Sequence, residues 1–186
     1  MTQKLRSAAG RIILSGGLTA LALLFMGSSA QAQVLDPVLL PDFAFRVGTY
    51  IPTDDDVRRA GGTHNLALEF DYIPQRFSQD NAYSVVSIGY IERDGFKLIP
   101  LTIAYIKREN SEYLRRPYYY GIGGGLYQTR VRAVDTSGEN KWIPGGFVVA
   151  GVDLSPRLFG EIKYHYISRY DGKFVGGTQI SAGIRF

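Results

Sequence analysis

His64 and His165 are the only histidines in this 186-residue chain, and there is no cysteine. A histidine acts as a general base only when a nucleophile lies within hydrogen-bond reach. In His165-Tyr166-Ile167-Ser168 the serine stands three residues on, which in a strand puts it on the opposite face. No acid follows between Lys173 and Phe186 to orient the imidazole. His165 therefore reads as one polar residue of a strand face shared with Glu161, Lys163 and Arg185. Asp54-Asp55-Asp56 offers the oxygens a hard cation takes. Because Val57-Arg58-Arg59-Ala60 follows, a helical turn with Asp at its start and Arg at its end accounts for the run equally well. Gly123-Gly124-Gly125 has neither the following helix nor the Lys-Ser/Thr pair of a phosphate loop. Lys107-Arg108 and Arg115-Arg116, with Tyr113 and Tyr118 between and beside them, read as a solvated turn bordered by aromatic residues. No catalytic residue, metal site or cofactor is expected.

The elements that would hold these residues begin after a leader. Lys4, Arg6 and Arg11 precede an apolar run from Ile12 to Met26, and Gly27-Ser28-Ser29-Ala30-Gln31-Ala32 ends in an Ala-x-Ala site. This is the three-part pattern of a secretory signal peptide, so residues 1–32 are expected to be cleaved, leaving 33–186 as a single domain. The whole chain has 21 basic and 17 acidic side chains. Subtracting the three leader cations leaves 18 against 17, so the basic pI of about 9.3 is largely the leader's. That removes the ground for a nucleic-acid partner, which would need a basic face on the folded domain.

From residue 42 the chain alternates apolar and polar residues with period two, in eight blocks: 42–51, 64–73, 82–92, 96–107, 118–132, 145–154, 158–168 and 176–186. Turn-formers separate them, Asp94-Gly95 being a strong tight-hairpin signal. One face of the blocks is large and apolar: Phe43, Phe45 and Val47; Leu66, Leu68, Phe70 and Tyr72; Ile99, Leu101, Ile103 and Tyr105; Ile180, Ala182, Ile184 and Phe186. The other is small or charged: Arg46, Glu69, Asp71, Asp153, Glu161, Lys163, His165 and Arg185, among many Gly, Ala and Ser. Small residues mixed with both signs of charge suit the inside of a narrow barrel, where ions can satisfy one another. The apolar face would then meet lipid, with tyrosines near the strand ends. Blocks of about ten residues are long enough for a tilted strand to cross the hydrocarbon. The expected fold is all-β, an eight-stranded antiparallel up-and-down transmembrane barrel.

Two stretches add a family resemblance. Ile180, Ala182, Ile184 and the final Phe186 resemble the C-terminal insertion signal of bacterial outer-membrane proteins. Arg116-Pro117-Tyr118-Tyr119-Tyr120-Gly121-Ile122-Gly123 resembles the Pro-Tyr-x-Gly-x-Gly strand of small OmpA/OmpW-like barrels. The resemblance implies a porin-like cell-envelope protein of Gram-negative bacteria, multi-pass in the outer membrane after Sec-type export. It implies a structural or surface-interaction role, a barrel with no peptidoglycan-binding domain, and both termini periplasmic. The loops at 52–63, 93–95, 133–144 and 169–175 would face outward. Outer-membrane lipid, lipopolysaccharide and the barrel-assembly machinery are the expected partners, and the state is a monomer. Lipid A deacylases of the PagL type are similar in size, strand number and terminal Phe. Their His-x-Ser-Asn motif is not matched, since Ser168 is displaced by one and Arg169 stands where Asn would follow. A lipid-A-modifying enzyme and a narrow solute channel remain the alternatives.

The terminal pattern makes a prediction: Phe186→Asp should lower the outer-membrane yield at equal synthesis, and a yield equal to wild type would make the pattern incidental.

Overall fold

The computed structural model describes residues 42–77, 81–111, 113, 116–131, 139–170 and 172–186; the leader lies outside them. Eight long strands follow in chain order: β1 (Phe43–Pro52), β2 (Asn65–Phe77), β3 (Ala82–Arg93), β4 (Phe96–Ser111), β5 (Arg116–Val131), β6 (Lys141–Asp153), β7 (Leu158–Ile167) and β8 (Gly177–Arg185). A short helix, α1 (Asp55–Gly61), lies between β1 and β2. Arg169–Tyr170 and Lys173–Phe174 pair as a small hairpin between β7 and β8.

Every long strand pairs antiparallel with its chain neighbour, and β1 closes the circle on β8. This is a closed eight-stranded up-and-down barrel. The seam runs from Ala44 opposite Arg185 to Pro52 opposite Gly177. It ends with the Phe43 N–H donating to the Phe186 carbonyl at 3.3 Å and the Phe186 N–H donating back at 3.0 Å. Closure leaves the sheet without an open edge. At one end, called here the loop end, are α1, the β3–β4 turn, the last residues of β5, the first of β6 and the small hairpin. The seam's Phe43 and Phe186 mark the opposite end. Asp94, at φ 49°, makes the β3–β4 connection a two-residue turn, as its sequence signal leads one to expect.

Four strand boundaries differ from the sequence expectation. Strand β2 runs on to Phe77, because Pro74 falls where the register against β3 shifts between Tyr72 and Gln75. A bulge tolerates the missing proline donor. Strands β4 and β5 continue pairing to Ser111 opposite Arg116, so the turn there is shorter than 108–117. Strand β6 starts at Lys141 and carries Pro144 within it, opposite Leu126.

The alternation sorts the faces. Outward point Ile103 (58% exposed), Ile122 (64%) and Tyr166 (67%), together with Phe45, Leu66, Phe70, Ile88, Leu101, Val148, Ile162, Ile180 and Ile184, all exposed. Aromatic residues concentrate toward the two ends of this apolar belt. Phe43 stacks on Phe70, Tyr72 and Phe186 at the seam end, and Tyr90, Trp142 and Tyr166 stand exposed toward the loop end. The inward face is the buried one, and it is not uniformly small or charged. It carries Tyr50, Tyr83, Phe96, Tyr119, Tyr127, Phe147 and Phe159 as well, each at most 5% exposed. Glycines make room for these rings: a Cβ on Gly123 would meet Phe147, on Gly183 Phe159 and on Gly151 Tyr119, each within 2.4 Å.

The parity has a direct test. A Cβ on inward Gly125 would lie 2.1 Å from the Leu101 carbonyl oxygen, whereas one on outward Gly160 would meet nothing within 4 Å. Gly125→Ala should therefore lose about 1–3 kcal/mol by overpacking and Gly160→Ala almost nothing, as read from unfolding midpoints in detergent.

Candidate functional site

Alternation brings the eight charged and polar residues singled out from the sequence to one space. Arg46 on β1, Glu69 and Asp71 on β2, Asp153 on β6, Glu161, Lys163 and His165 on β7, and Arg185 on β8 are all buried in the lumen. Arg108 on β4 joins them. It belongs to the turn in the sequence reading and enters the barrel because β4 extends past it. Among the described residues the buried ions thus number four cations and four anions.

They form two groups. In the middle, Arg46 pairs with Asp71, with Glu161 and, at 3.1 Å, with Glu69. Lys163 donates to Glu69 at 2.7 Å. Ser87 donates at 2.6 Å to the same Asp71 oxygen that Arg46 holds, and Tyr119 donates at 3.0 Å to the second oxygen of Glu161. Toward the seam end, Asp153 accepts from Arg108 Nε at 2.8 Å and from Arg185 at 2.7 Å. Arg185 therefore finds its acid on β6, not in Glu69 or Glu161 as the strand order alone would favour, because Asp153 reaches across at its own level. The middle group has two cations against three acids and the seam-end group two against one, so neutrality holds for the pair of groups together. Aromatic rings on neighbouring strands lie beside these ions: Lys163 Nζ is 4.6 Å from the Phe147 ring and the Arg185 guanidinium 4.3 Å from Phe159. Such contacts favour a desolvated cation.

The lumen is filled. Between the two groups remains a cavity of about 30 Å³, lined by Arg46, Asp71, Glu161, Lys163 and Arg185 among others, room for about one or two waters. Above it, toward the loops, His165 is in hydrogen-bond contact with the Tyr127 hydroxyl through Nδ1 and with Gln179 Oε1 through Nε2, both at 3.2 Å. Gln179 in turn donates to Glu69 at 3.1 Å. Both ring nitrogens are thus held by Tyr127 and Gln179, and Ser168 lies exposed beyond the strand end. His64 is exposed after α1, and its carbonyl accepts from Arg93 at 2.6 Å. Neither histidine has the base-to-nucleophile geometry of a hydrolase.

An apolar layer closes the loop end. Tyr50, Val57, Phe96, Leu98, Tyr127, Ile167 and Val175 pack there fully buried, and α1 supplies Val57 from above. The Tyr50 hydroxyl donates to the Val175 carbonyl at 2.6 Å, and backbone bonds run from Thr53 to Gly176 and from Gly95 to Ala60. The Asp run builds this cap. Asp54 accepts from the Asp56 and Val57 N–H groups at 2.8 and 3.2 Å, while Asp55 pairs with Arg58 and Asp56 with Arg59. Desolvation alone would raise the Asp54 pKa, but the N–H groups of Val57, Asp56 and Phe174 and the charge of Lys173 outweigh it and lower the value. Among the described residues no group of three or more His, Asp or Glu is placed to hold a metal ion.

The sequence pattern picks out neither the aromatic rings of the lumen nor Arg108. Extending the parity of Gly121 by two residues finds Tyr119, and that of Gly151 finds Val149 and Phe147. The signal was present and was masked by the glycines between.

No protein-family model matches the chain, and no curated protein matches it in sequence. Among solved structures, the crystal structure of Neisserial surface protein A matches with a TM-score of 0.59 and 18% identity, covering 77% of this chain and 94% of that one. The Yersinia pestis outer membrane protein Ail, solved in a phospholipid bilayer nanodisc, aligns at a TM-score of 0.47 with 16% identity, over 78% of this chain and 99% of that one. The likeness to the Neisserial protein is one of fold, the closed eight-stranded barrel.

The ion network makes a stability prediction. Arg46→Met leaves three carboxylates without their shared partner and should cost about 3–5 kcal/mol. Adding Asp71→Asn and Glu161→Gln to it should recover part of that loss in urea unfolding from lipid vesicles. Equal stability of Arg46→Met and wild type would remove the network from the account of the fold.

Proposed function

We propose that this protein is a small bacterial outer-membrane barrel, exported with its leader removed, that serves a structural or surface-interaction role through its capped loop end. The observation that carries this reading is the reversal of faces. A soluble barrel buries its large apolar side chains and wets its ions, whereas here balanced ions are buried and a belt of Ile, Phe, Leu, Val and Tyr is turned out. In water that belt would be a large exposed apolar patch; in a bilayer it is the surface that hydrocarbon requires. Closure supports the reading too, since lipid tolerates no open strand edge.

On this reading the belt meets outer-membrane lipid and lipopolysaccharide, and Ile180, Ala182, Ile184 and Phe186 serve as the signal read by the barrel-assembly machinery. The barrel works as a monomer, with the loop end toward the outside. The filled lumen and the apolar layer under α1 favour a non-conducting barrel over a solute channel. The bonds of His165 to Tyr127 and Gln179 favour a structural imidazole over a lipid-A-modifying enzyme.

Fractionation and bilayer recording test the reading together. The mature protein should leave the membrane fraction only with detergent, and planar bilayers containing it should show no steady conductance. Recovery in the detergent-free periplasmic fraction would sink the membrane assignment, and steady single-channel currents would reinstate the channel. Lipid A spectra from cells with and without the gene should have the same acyl pattern.

A further inference from the structure

The cavity between the two ion groups has a lining of uneven chemistry. Its charged walls are three cations, Arg46, Lys163 and Arg185, and two acids, Asp71 and Glu161. The acid oxygens are nearly all taken. Glu161 Oε1 accepts from Arg46 and Oε2 from Tyr119, and Asp71 Oδ1 accepts from both Arg46 and Ser87. Only Asp71 Oδ2 takes none of these bonds. Donors, by contrast, are left over. Arg46 is 4% exposed, yet its Nε meets no acceptor among the described residues. Lys163 donates to Glu69 at 2.7 Å and lies 3.8 Å from Glu161, too far for a second bond. A buried N–H without an acceptor costs free energy, so the fitting occupant of this space is one that accepts hydrogen bonds.

We propose that this cavity binds a halide-sized anion, chloride being the common one, and that Asp71 takes up a proton with it. A cavity of about 30 Å³, with room for about one or two waters, admits a monatomic ion and excludes sulfate or phosphate. The anion accepts from Arg46 Nε and Lys163, with Arg185 completing the positive side. An ionised Asp71 would repel it. With a proton on Oδ2, the same side chain becomes one more donor toward the cavity. The charge count requires this step. Among the described residues the lumen holds four cations and four acids, so an anion alone would leave one buried charge uncompensated. Anion and proton together keep the balance. The proton comes from water and returns to it when the anion leaves, and no covalent bond but that O–H forms or breaks. Asp71 is faced by Arg46 on β1, Glu69 on its own strand and Lys163 on β7. Tyr83 on β3, Tyr119 on β5, Glu161 on β7 and Arg185 on β8 stand around the same cavity, which β4 and β6 line with apolar side chains. The site lies within the lumen and does not depend on the membrane reading.

The full protein is unfolded with urea in detergent containing sodium chloride, sodium bromide or sodium gluconate at equal ionic strength. Gluconate is too large for the cavity and serves as the reference. If the folded barrel alone binds one halide, a tenfold rise in chloride or bromide above saturation should raise the folding constant about tenfold. Halide affinity should also rise as the pH falls, about tenfold per unit while Asp71 is ionised in the halide-free barrel. Asp71→Asn keeps the shape of the neutral acid, so its halide effect should remain and lose that pH dependence. Ala104→Leu fills the cavity and should abolish the effect. Crystals of the wild-type protein grown in bromide, which need no variant, should show an anomalous peak beside Arg46 Nε. A halide effect equal in wild type and Ala104→Leu would be a general action of salt and would overturn the proposal. A midpoint indifferent to halide, water alone in the cavity of the bromide crystals, or an Asp71→Asn variant as pH-dependent as wild type would each overturn it too.

Discussion

Arg46 is the tie on which the closed shape depends. Strand β1 is the first strand of the barrel and must find β8, more than a hundred residues away, before the sheet has no edge. Ordering so long a loop costs entropy before contacts reward it. From β1 the Arg46 guanidinium reaches Glu69 and Asp71 on β2 and passes over β8 to Glu161 on β7. Lys163 on β7 reaches back to Glu69 on β2. These two cations bind strands on both sides of the seam, so the closure is held by side chains across the lumen as well as by the backbone ladder. Buried ions are a poor source of net stability compared with a packed apolar interior. Their arrangement here is specific to one register, because a slip of one residue would turn every one of them outward.

The rest of the lumen follows from accommodating those ions. Two cations stack on Phe147 and Phe159 of the strands next to their own, and the rings need glycines on adjacent strands to fit. Gly123, Gly151 and Gly183 are thus part of the same arrangement as Lys163 and Arg185. The apolar layer under α1 then separates the polar middle from the loop side. A barrel of this number of strands has space for side chains and little else, and a cavity of about 30 Å³ lies among the ions.

The outer face has the complementary logic. Apolar residues with aromatic ones toward the ends make a surface suited to lipid. The cap at the loop end is small and well tied, with α1 capped by Asp54 and joined by backbone bonds to the β3–β4 turn. Among the described residues this cap lays Val57 and its apolar neighbours over the loop end of the lumen.

Alternation with period two is a one-dimensional property, so the number of strands, their direction and the face of Arg46, Glu69, Asp71, Asp153, Glu161, Lys163, His165 and Arg185 were all legible along the chain. The tight turn at Asp94-Gly95 and the capping role of the Asp run were legible for the same reason, since both are local. Pairing across the lumen was not. Which acid Arg185 meets depends on the stagger of strands around the circle, and that placed Asp153 of β6 at its level in preference to Glu69 or Glu161. Nor could the ends of β2 and β4 be read, because the bulge at Tyr72 and Gln75 and the ladder to Ser111 are properties of the partner strand. Extension of β4 is also what carried Arg108 into the barrel as the fourth cation. Period sets the face of a residue, but distance across a closed sheet is set by register and shear, which no single strand encodes.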